Sequence, residues 1–294
     1  MPDSDTKVSS GVRRRRNVVI VNHGLFPFGQ PNTQRPPRLA ERSEAFVVGV
    51  YPSAFHISWT PPAMYDERPE AKKRRPYIAA LAVDVEPVVF WDGRQPNPTD
   101  LFDEWVRSVG FTDEFGRAAA SGSNGPSGAG LIERYLTPLN LTVDKVSFTD
   151  VVPTFFTKGG AGSQGEAIAK RFAPIATQLG MHAGSLPARP SPTSLVRLAV
   201  DTQRDRLRIE LSDAGAPLVI TLGQEAADVI RQVVDHSAGA QTKLAAEGYG
   251  QSGEITIGGY RANWIPLAHP GVIRPKEGTW SRTHEDWKSR QTRS

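Results

Sequence analysis

Runs of apolar residues, each ended by a glycine, a proline or a polar residue, divide this chain into predicted strands. Continuous apolar runs of this kind are typical of strands buried on both faces of a sheet. The clearest such runs are residues 46–50 and 218–222, and a third strand at 146–152 ends before Pro153. Further strands are predicted at residues 78–85, 255–257 and 262–267.

Segments with helical periodicity alternate with these strands. The longest covers residues 194–213, and a second helix at 224–234 directly follows Gly223. Shorter helices are predicted at 101–109, 131–136 and 166–179, and the small residues of 118–130 predict a loop. The alternation predicts an α/β fold, a three-layer α/β/α sandwich with a short, mostly parallel central sheet.

The ends of the predicted strands carry residues that a purely structural strand does not need. The first strand runs into the stretch VVGVYPSAFH, in which a glycine and a proline are followed by aromatic residues and a histidine. Asp150 and His269 also fall at strand ends. Ligands of parallel α/β sheets bind beyond the carboxyl ends of the strands. We therefore expect Tyr51, Asp150 and His269 to meet on one rim of the sheet.

Composition narrows the class of protein. The 294 residues are 38% hydrophobic and contain no cysteine, which excludes disulfides, thiolate zinc sites and cysteine-held iron–sulfur clusters. No long apolar segment and no signal peptide are evident, so a soluble, cytoplasmic monomer is expected. The basic, polar residues 1–16 predict a disordered arm, and residues 17–294 are expected to form a single domain.

The distribution of charge suggests a partner, although the net charge is only +4. Basic residues cluster at 13–16 and at 72–75, and such clusters suit a DNA backbone. A solvated surface or a flexible tail is the alternative for either cluster. The pattern G-x-G-x-x-G at 160–165 lies about ten residues past its strand and lacks the acidic residue of a dinucleotide site, so no cofactor is expected.

Four strand-end motifs, taken in order, resemble those of the uracil-DNA glycosylase superfamily. GVYP at 49–52 resembles its first motif, G-x-x-P, and HPGV at 269–272 resembles its histidine-proline motif. FTDVV at 148–152 is similar to the strand that carries the base-reading asparagine, and LGQEA at 222–226 is similar to the L-G-x-x-A turn. The resemblance spans about residues 45–275. It implies an α/β/α sandwich that hydrolyses the N-glycosidic bond of a flipped base without cofactor or metal.

The resemblance also implies roles for individual residues. His269 would stabilise the departing base, as the donors of an oxyanion hole stabilise an anion. Ile273 would be the apolar wedge that fills the vacated stack, and Arg274 would meet a phosphate. The expected base pocket consists of Gly49, Tyr51, Pro52, Phe55 and Trp59. The remaining expected DNA contacts are Lys72, Lys73, Arg74 and Arg75. Each role has a structural alternative. His269 would only bond to the backbone of its own turn, the aromatic residues would belong to the core, and Ile273 would be an ordinary residue of a surface loop.

Tyr51 departs from the family pattern, which usually has Asp or Asn there to position the attacking water. A phenol with a pKa near 10 is a poor general base at neutral pH. Asp84 or Glu86, at the end of the predicted strand 78–85, or else His56, would orient the water instead. For both carboxylates a simple surface turn before Pro87 is the alternative.

Asp150 occupies the position of the family's asparagine. A carboxylate only accepts hydrogen bonds, so it would repel O4 of uracil and accept from the N4 amino group of cytosine. The alternative is a residue that turns the chain before Pro153. If Asp150 faces the pocket, the substrate is a cytosine-type base, and a modified one, since excising ordinary cytosine would be harmful.

Four interpretations of the function follow. The first is a monofunctional DNA glycosylase for a modified pyrimidine, for example a bulky 5-substituted cytosine of bacteriophage DNA, which would give an antiviral role. The second is a uracil-type glycosylase of base-excision DNA repair. The third is a catalytically inactive, glycosylase-like DNA-binding protein, and the fourth is an N-glycosidase that acts on free nucleotides.

Overall fold

The computed structural model describes residues 37, 39–52, 55–60, 77–81, 117–120, 125–160, 187–273 and 278–291. For most of the strands at 55–60, 77–81 and 117–120 the description covers the backbone alone. The described residues form an α/β fold with nine strands in two sheets. The strands are β1 (Ala45–Gly49), β2 (Phe55–Thr60), β3 (Tyr77–Leu81), β4 (Arg117–Ala120), β5 (Val146–Asp150), β6 (Leu218–Leu222), β7 (His236–Ala238), β8 (Gly253–Ile257) and β9 (Tyr260–Leu267).

The main sheet has six strands in the order β5-β1-β6-β9-β8-β7. Its first four strands are parallel to one another, and β8 and β7 continue the sheet in antiparallel pairing. The sheet is therefore mixed but mostly parallel. The predicted strands that became β1, β5, β6, β8 and β9 are confirmed to within a few residues, and the short edge strand β7 was not predicted.

A second sheet is separate from the first and antiparallel throughout, in the order β3-β2-β4. The predicted strand at 78–85 corresponds to β3, but it does not join the parallel sheet. Residues 82–85 of the predicted strand, with Asp84 among them, lie outside the described residues. β2 was not predicted, although its sequence FHISWT alternates between apolar and polar residues, which is the pattern of a strand with one buried face.

Four α-helices occur in the described part of the chain, none of them long and apolar enough to cross a membrane. They are α1 (Gly125–Leu131), α2 (Pro192–Ala214), α3 (Gln224–Val233) and α4 (Thr279–Gln291). The two predicted helices that became α2 and α3 are confirmed. Ser191 caps α2 by accepting a hydrogen bond from the amide of Ser194, and Pro192 occupies the first turn, where its missing N–H does no harm.

Residues 118–130 were expected to form a loop, and this expectation is wrong at both ends. The segment contributes to β4 and forms α1, although the helix contains three glycines in GPSGAGL. Glycine disfavours a helix, so packing has to supply the stability. Gly128 and Gly130 are buried, and a Cβ at Gly130 would lie 3.7 Å from Cβ of Pro270. The small residues thus allow α1 to approach the turn that follows β9.

The predicted helix at 131–136 is a π-helical turn, Ile132–Leu136, continued by a 3-10 turn, Thr137–Leu139. Several other predictions lie outside the described residues. They are the arm at 1–16, the helices at 101–109 and 166–179 and most of the glycine-rich pattern at 160–165.

Two apolar clusters cover opposite faces of the main sheet. Because successive side chains of a strand point to opposite faces, Phe46 and Val48 join one cluster and Val47 joins the other. The first cluster contains the buried residues of α2 and α3, and the second contains Tyr135 of the π turn and Trp287 of α4. Helices therefore pack on both faces, which is compatible with the predicted three-layer sandwich.

A buried network ties α2 to the carboxyl end of β5. Arg206 forms an ion pair with Glu210 (2.8 Å), and Glu210 accepts a hydrogen bond from the hydroxyl of Thr149 (2.6 Å). Arg206 also donates to the carbonyl oxygens of Asp150 (2.8 Å) and Val151 (3.2 Å). Glu210 is only 6% exposed. The network thus satisfies the two carbonyls at the point where β5 stops pairing.

We expect the substitution Glu210→Ala to destabilise the fold, because it leaves the Arg206 charge without its carboxylate in a largely buried position. The free energy of unfolding, measured in urea, should fall by about 3 kcal/mol. Asp201→Ala is the matched control, since it breaks an exposed i,i+4 pair with Arg197 on the same helix. The control should change the stability by less than about 0.5 kcal/mol. Equal effects of the two substitutions would show that the network contributes nothing special.

Candidate functional site

The strand order creates a crevice at the carboxyl edge of the main sheet. From β1 the chain passes to β5 on one side, whereas β6 lies on the other side of β1 and leads on to β9. The order therefore reverses between β1 and β6. Open α/β sheets bind their ligands outside the carboxyl ends of the strands at such a reversal. The segments that follow β1 and β6 are consequently the first place to look for a site.

The end of β1 is shaped by a glycine. Gly49 pairs with Asp150 across the sheet, and a Cβ at Gly49 would overlap the carboxylate oxygen Oδ1 of Asp150. The missing side chain thus makes the space that the carboxylate occupies. Asp150 is only 7% exposed. Beyond the glycine, Val50 is buried and Tyr51 is partly buried, while Pro52 is buried.

The end of β6 approaches the end of β9 equally closely. The amide of Gly223 donates to the carbonyl of Leu267 (2.7 Å), and the backbone of Gly223 has φ = 101°, a value that favours glycine. A Cβ here would lie 3.6 Å from both Val50 Cγ2 and His269 Cβ. Gly223 therefore brings the histidine turn, α3 and the end of β1 together.

His269 lies at the start of a 3-10 turn, Pro270–Val272, and is partly buried. Its Nδ1 accepts a hydrogen bond from the amide of Gly271 (3.0 Å). Nδ1 therefore carries no proton in the neutral ring, and the N–H of the imidazole is on Nε2. Burial lowers the pKa of His269 to about 4; the positive charges of Lys158 and Arg189 act in the same direction, and Glu225 opposes them. His269 is thus a neutral hydrogen-bond donor at pH 7.

Tyr51 lies between a cation and a second aromatic ring. The guanidinium carbon of Arg189 is 5.6 Å from the centre of the Tyr51 ring, and Phe156 meets Tyr51 edge-on at 5.7 Å. Burial raises the pKa of Tyr51, although the charge of Arg189 opposes this effect. The hydroxyl therefore stays protonated at neutral pH. The prediction that Tyr51 would make a poor general base agrees with this environment.

A partly buried ion pair completes the crevice. Arg189 forms a salt bridge with Glu225 in the first turn of α3, and each side chain is 19% exposed. A backbone bridge between Thr157 and Ala188 holds the segment of Arg189 beside the segment of Lys158, which is exposed. The charges of Asp150 and Glu225 both influence Tyr51. One cation, Arg189, and two carboxylates thus act on the tyrosine.

The structure brings Gly49, Tyr51, Pro52, Asp150 and His269 to one edge of the sheet, as predicted. Ile273 does not behave as expected, because it is 4% exposed and packs in the cluster with Trp287. A buried residue cannot serve as a wedge, and the exposed neighbour is Val272, at 51%.

The other predicted site residues carry no structural description of their side chains. Phe55 and Trp59 lie on β2, of which only the backbone is described there. His56 also lies on β2. The other predicted site residues fall outside the described residues: Lys72, Lys73, Arg74, Arg75, Asp84, Glu86 and Arg274.

Sequence reasoning missed four residues that contact or influence the site. Glu225 was the most accessible to it, because an acidic residue follows the strand-ending glycine inside the quoted motif LGQEA. Arg189, Phe156 and Lys158 give no local signal. Their approach to Tyr51 and His269 depends on pairing between segments about thirty residues apart, which no periodicity reveals.

The arrangement combines a neutral N–H donor, a buried carboxylate and a stacked tyrosine in a crevice, which suits recognition of a polar, aromatic ligand. In the described ranges, no three or more histidine, aspartate or glutamate side chains converge as they would to hold a metal ion. No protein-family model matches this chain, and no curated protein matches it. Its function must therefore be inferred from the chemistry of the site.

The protonation state of His269 is directly testable. In an NMR titration we expect its ring signals, assigned by their loss in His269→Gln, to shift with a midpoint near pH 4. The unfolded chain takes up a proton on this histidine near pH 6.5, whereas the folded chain takes it up only near pH 4. Proton uptake therefore favours the unfolded chain as the pH falls from 6.5 to 4. Stability should therefore fall through that window, and less steeply in His269→Gln. A midpoint near 6.5 would show that water reaches the ring freely.

Proposed function

We propose that this protein is a monofunctional DNA glycosylase that flips a modified pyrimidine out of DNA and hydrolyses its N-glycosidic bond. The observation that carries the proposal is the neutral, Nε2-protonated His269 at the carboxyl edge of the sheet. The ordered motifs that resemble the uracil-DNA glycosylase superfamily, at 49–52, 148–152, 222–226 and 269–272, support it. No cofactor or metal is invoked.

The reaction has electrostatic requirements that the crevice can meet. Breaking the bond leaves negative charge on the base and positive charge on the sugar. A donor fixed in place before the reaction stabilises such an anion without reorganising water. The Nε2–H of His269 is of this kind, since the amide of Gly271 holds the other ring nitrogen.

The proposed substrate is a cytosine-type base, for example a bulky 5-substituted cytosine of bacteriophage DNA, which would give the protein a role in antiviral defence. Support comes from the carboxylate of Asp150, which fills the space above Gly49 at the rim and can only accept when ionised. The N4 amino group of cytosine is a donor that this carboxylate would accept from. A uracil-type base with O4 in that place would be repelled.

Val272 replaces Ile273 as the proposed wedge. It is an apolar side chain, 51% exposed, three residues after His269. Apolar wedges of glycosylase-like and other base-flipping proteins enter the stack from a surface position, which Val272 has and Ile273 lacks. The phosphate contacts of Lys72, Lys73, Arg74, Arg75 and Arg274 remain part of the proposal from the sequence.

The environment of Tyr51 favours a second candidate, a glycosylase-like DNA-binding protein without catalysis. A buried phenol whose pKa is raised cannot take a proton from water at neutral pH. Such a protein would bind modified DNA and leave the base in place. An assay for abasic sites on DNA that contains uracil, hypoxanthine, 5-hydroxymethyluracil or glucosylated 5-hydroxymethylcytosine separates the two candidates.

On the best substrate from that panel, His269→Ala should lower the single-turnover excision rate at least about a hundredfold, on the order of 2.7 kcal/mol of transition-state stabilisation. DNA affinity should change little, because the donor matters only once charge develops. His236→Ala is the control, since His236 is an exposed histidine on the edge strand β7. Unchanged excision by His269→Ala would remove His269 from the mechanism.

Asp150→Asn tests how the base is read. Asparagine restores a donor, so selectivity should shift from cytosine-type toward uracil-type bases, with a mismatched edge worth about 1–3 kcal/mol. Excision is measured on duplexes that differ only in the target base, with Asp144→Asn, an exposed aspartate before β5, as control. A wild-type preference for uracil, or the same selectivity in both proteins, would reduce Asp150 to a structural residue.

A further inference from the structure

The residue before His269 is held from both sides by buried tyrosines. The amide of Ala268 donates to the hydroxyl of Tyr249 (3.0 Å), and the carbonyl of Ala268 accepts from the hydroxyl of Tyr135 (2.6 Å). Ala268 is 3% exposed, Tyr249 is 2% exposed and Tyr135 is fully buried. The carbonyl of Ala268 belongs to the planar peptide that ends at the nitrogen of His269. Fixing this carbonyl therefore fixes the peptide plane that contains the backbone nitrogen of His269.

The hydroxyl of Tyr249 is itself oriented by a third buried side chain. His284 of α4 is fully buried; its Nδ1 lies 2.8 Å from the Tyr249 hydroxyl, and its Nε2 lies 3.1 Å from the carbonyl of Arg134. The carbonyl can only accept, so Nε2 carries the proton and Nδ1 accepts from Tyr249. Burial lowers the pKa of His284, which keeps the ring in this neutral form. Each group in this chain thus donates to the next, from the Ala268 amide through the Tyr249 hydroxyl and His284 to the carbonyl of Arg134.

A tight turn places Tyr249 for this role. Gly248 and Gly250, on either side of it, have φ values of 69° and 72°, which favour glycine. A Cβ at Gly250 would overlap the indole of Trp287 on α4. Arg290 of the same helix donates to the carbonyl of Tyr249 (3.1 Å). Helix α4 therefore holds both the backbone and the side chain of Tyr249.

We infer that Tyr249 and Tyr135 are positioning residues for His269, and that α4, through His284, is part of the machinery that aims its Nε2–H into the crevice. The expected effect on excision rests on the proposed function, whereas the expected effect on the orientation of His269 does not. The only hydrogen bond described for the His269 ring comes from its own turn, at Gly271. The orientation of the whole turn is therefore set by the tyrosine hydrogen bonds that hold its first peptide.

Tyr249→Phe removes the acceptor for Ala268 and the donor to His284, and it keeps the ring. We expect faster hydrogen exchange at the Ala268 amide and a shift of the His269 titration midpoint upward, toward its ordinary value. Single-turnover excision should fall about tenfold or more with unchanged DNA affinity, because misplacement of a catalytic group by a fraction of an ångström is costly. All measurements are made well below the melting temperature of each variant.

Tyr260→Phe is the matched control. Its hydroxyl also donates to a backbone carbonyl, that of Ala216 (2.6 Å), at the other end of β9. A general loss of stability would act on both variants, whereas only Tyr249→Phe should change Ala268 and His269. Equal changes in the two variants, or none in either, would overturn the inference.

Tyr135→Phe provides a second route if Tyr249→Phe does not fold. It removes only the donor to the carbonyl of Ala268, and the same three measurements apply. One outcome is that the wild type excises no base while the tyrosine variants still change the signals of Ala268 and His269. That result would support the positioning role and refute the glycosylase proposal. Excision by wild type together with unaltered His269 signals and rate in both tyrosine variants would refute the positioning role alone.

Discussion

Close approach of backbone segments at the carboxyl edge of the sheet is the constraint on which the site depends. Gly49 leaves room for the carboxylate of Asp150, and Gly223 allows α3, Val50 and the turn of His269 to meet. A Cβ at Gly49 would overlap this carboxylate, whereas at Gly223 the positive φ is what disfavours other residues. The site is therefore a consequence of how the parallel strands end, and the strand order β5-β1-β6-β9 decides which ends are neighbours.

Burial at this edge sets the chemistry of the side chains. It removes the proton that His269 would otherwise carry near neutral pH and keeps the proton of Tyr51 in place. Arg189 and Glu225 satisfy one another across the crevice, so the partly buried charges are paired, as buried charges must be. The result is a site whose tyrosine and histidine rings are neutral at pH 7 and whose Arg189 and Glu225 form an ion pair.

The parallel core was predictable because a strand buried on both faces needs a continuous apolar run, which β1 and β6 largely show, whereas β5 (VSFTD) mixes apolar and polar residues although all five are buried. Local sequence patterns did not predict the elements whose formation depends on contacts between distant residues. Helix α1 forms from a glycine-rich segment because Gly130 packs beside Pro270, and α4 was not predicted because its apolar stripe is limited to a few residues such as Trp287. The placement of Tyr51, Asp150 and His269 at one edge of the sheet was predictable, since strand ends are visible in sequence.

The exposure of residues within one motif illustrates what sequence cannot supply. Ile273 and Val272 are adjacent apolar residues of the turn after His269, and nothing local distinguishes them. The carbonyl of Ile273 accepts from Arg134, and its side chain packs in the cluster with Trp287, so the neighbouring side chain faces solvent. Both the cluster and the tyrosines that hold Ala268 depend on α4, some ten residues further along. The same helix therefore decides which apolar residue faces outward and how the histidine before it is aimed.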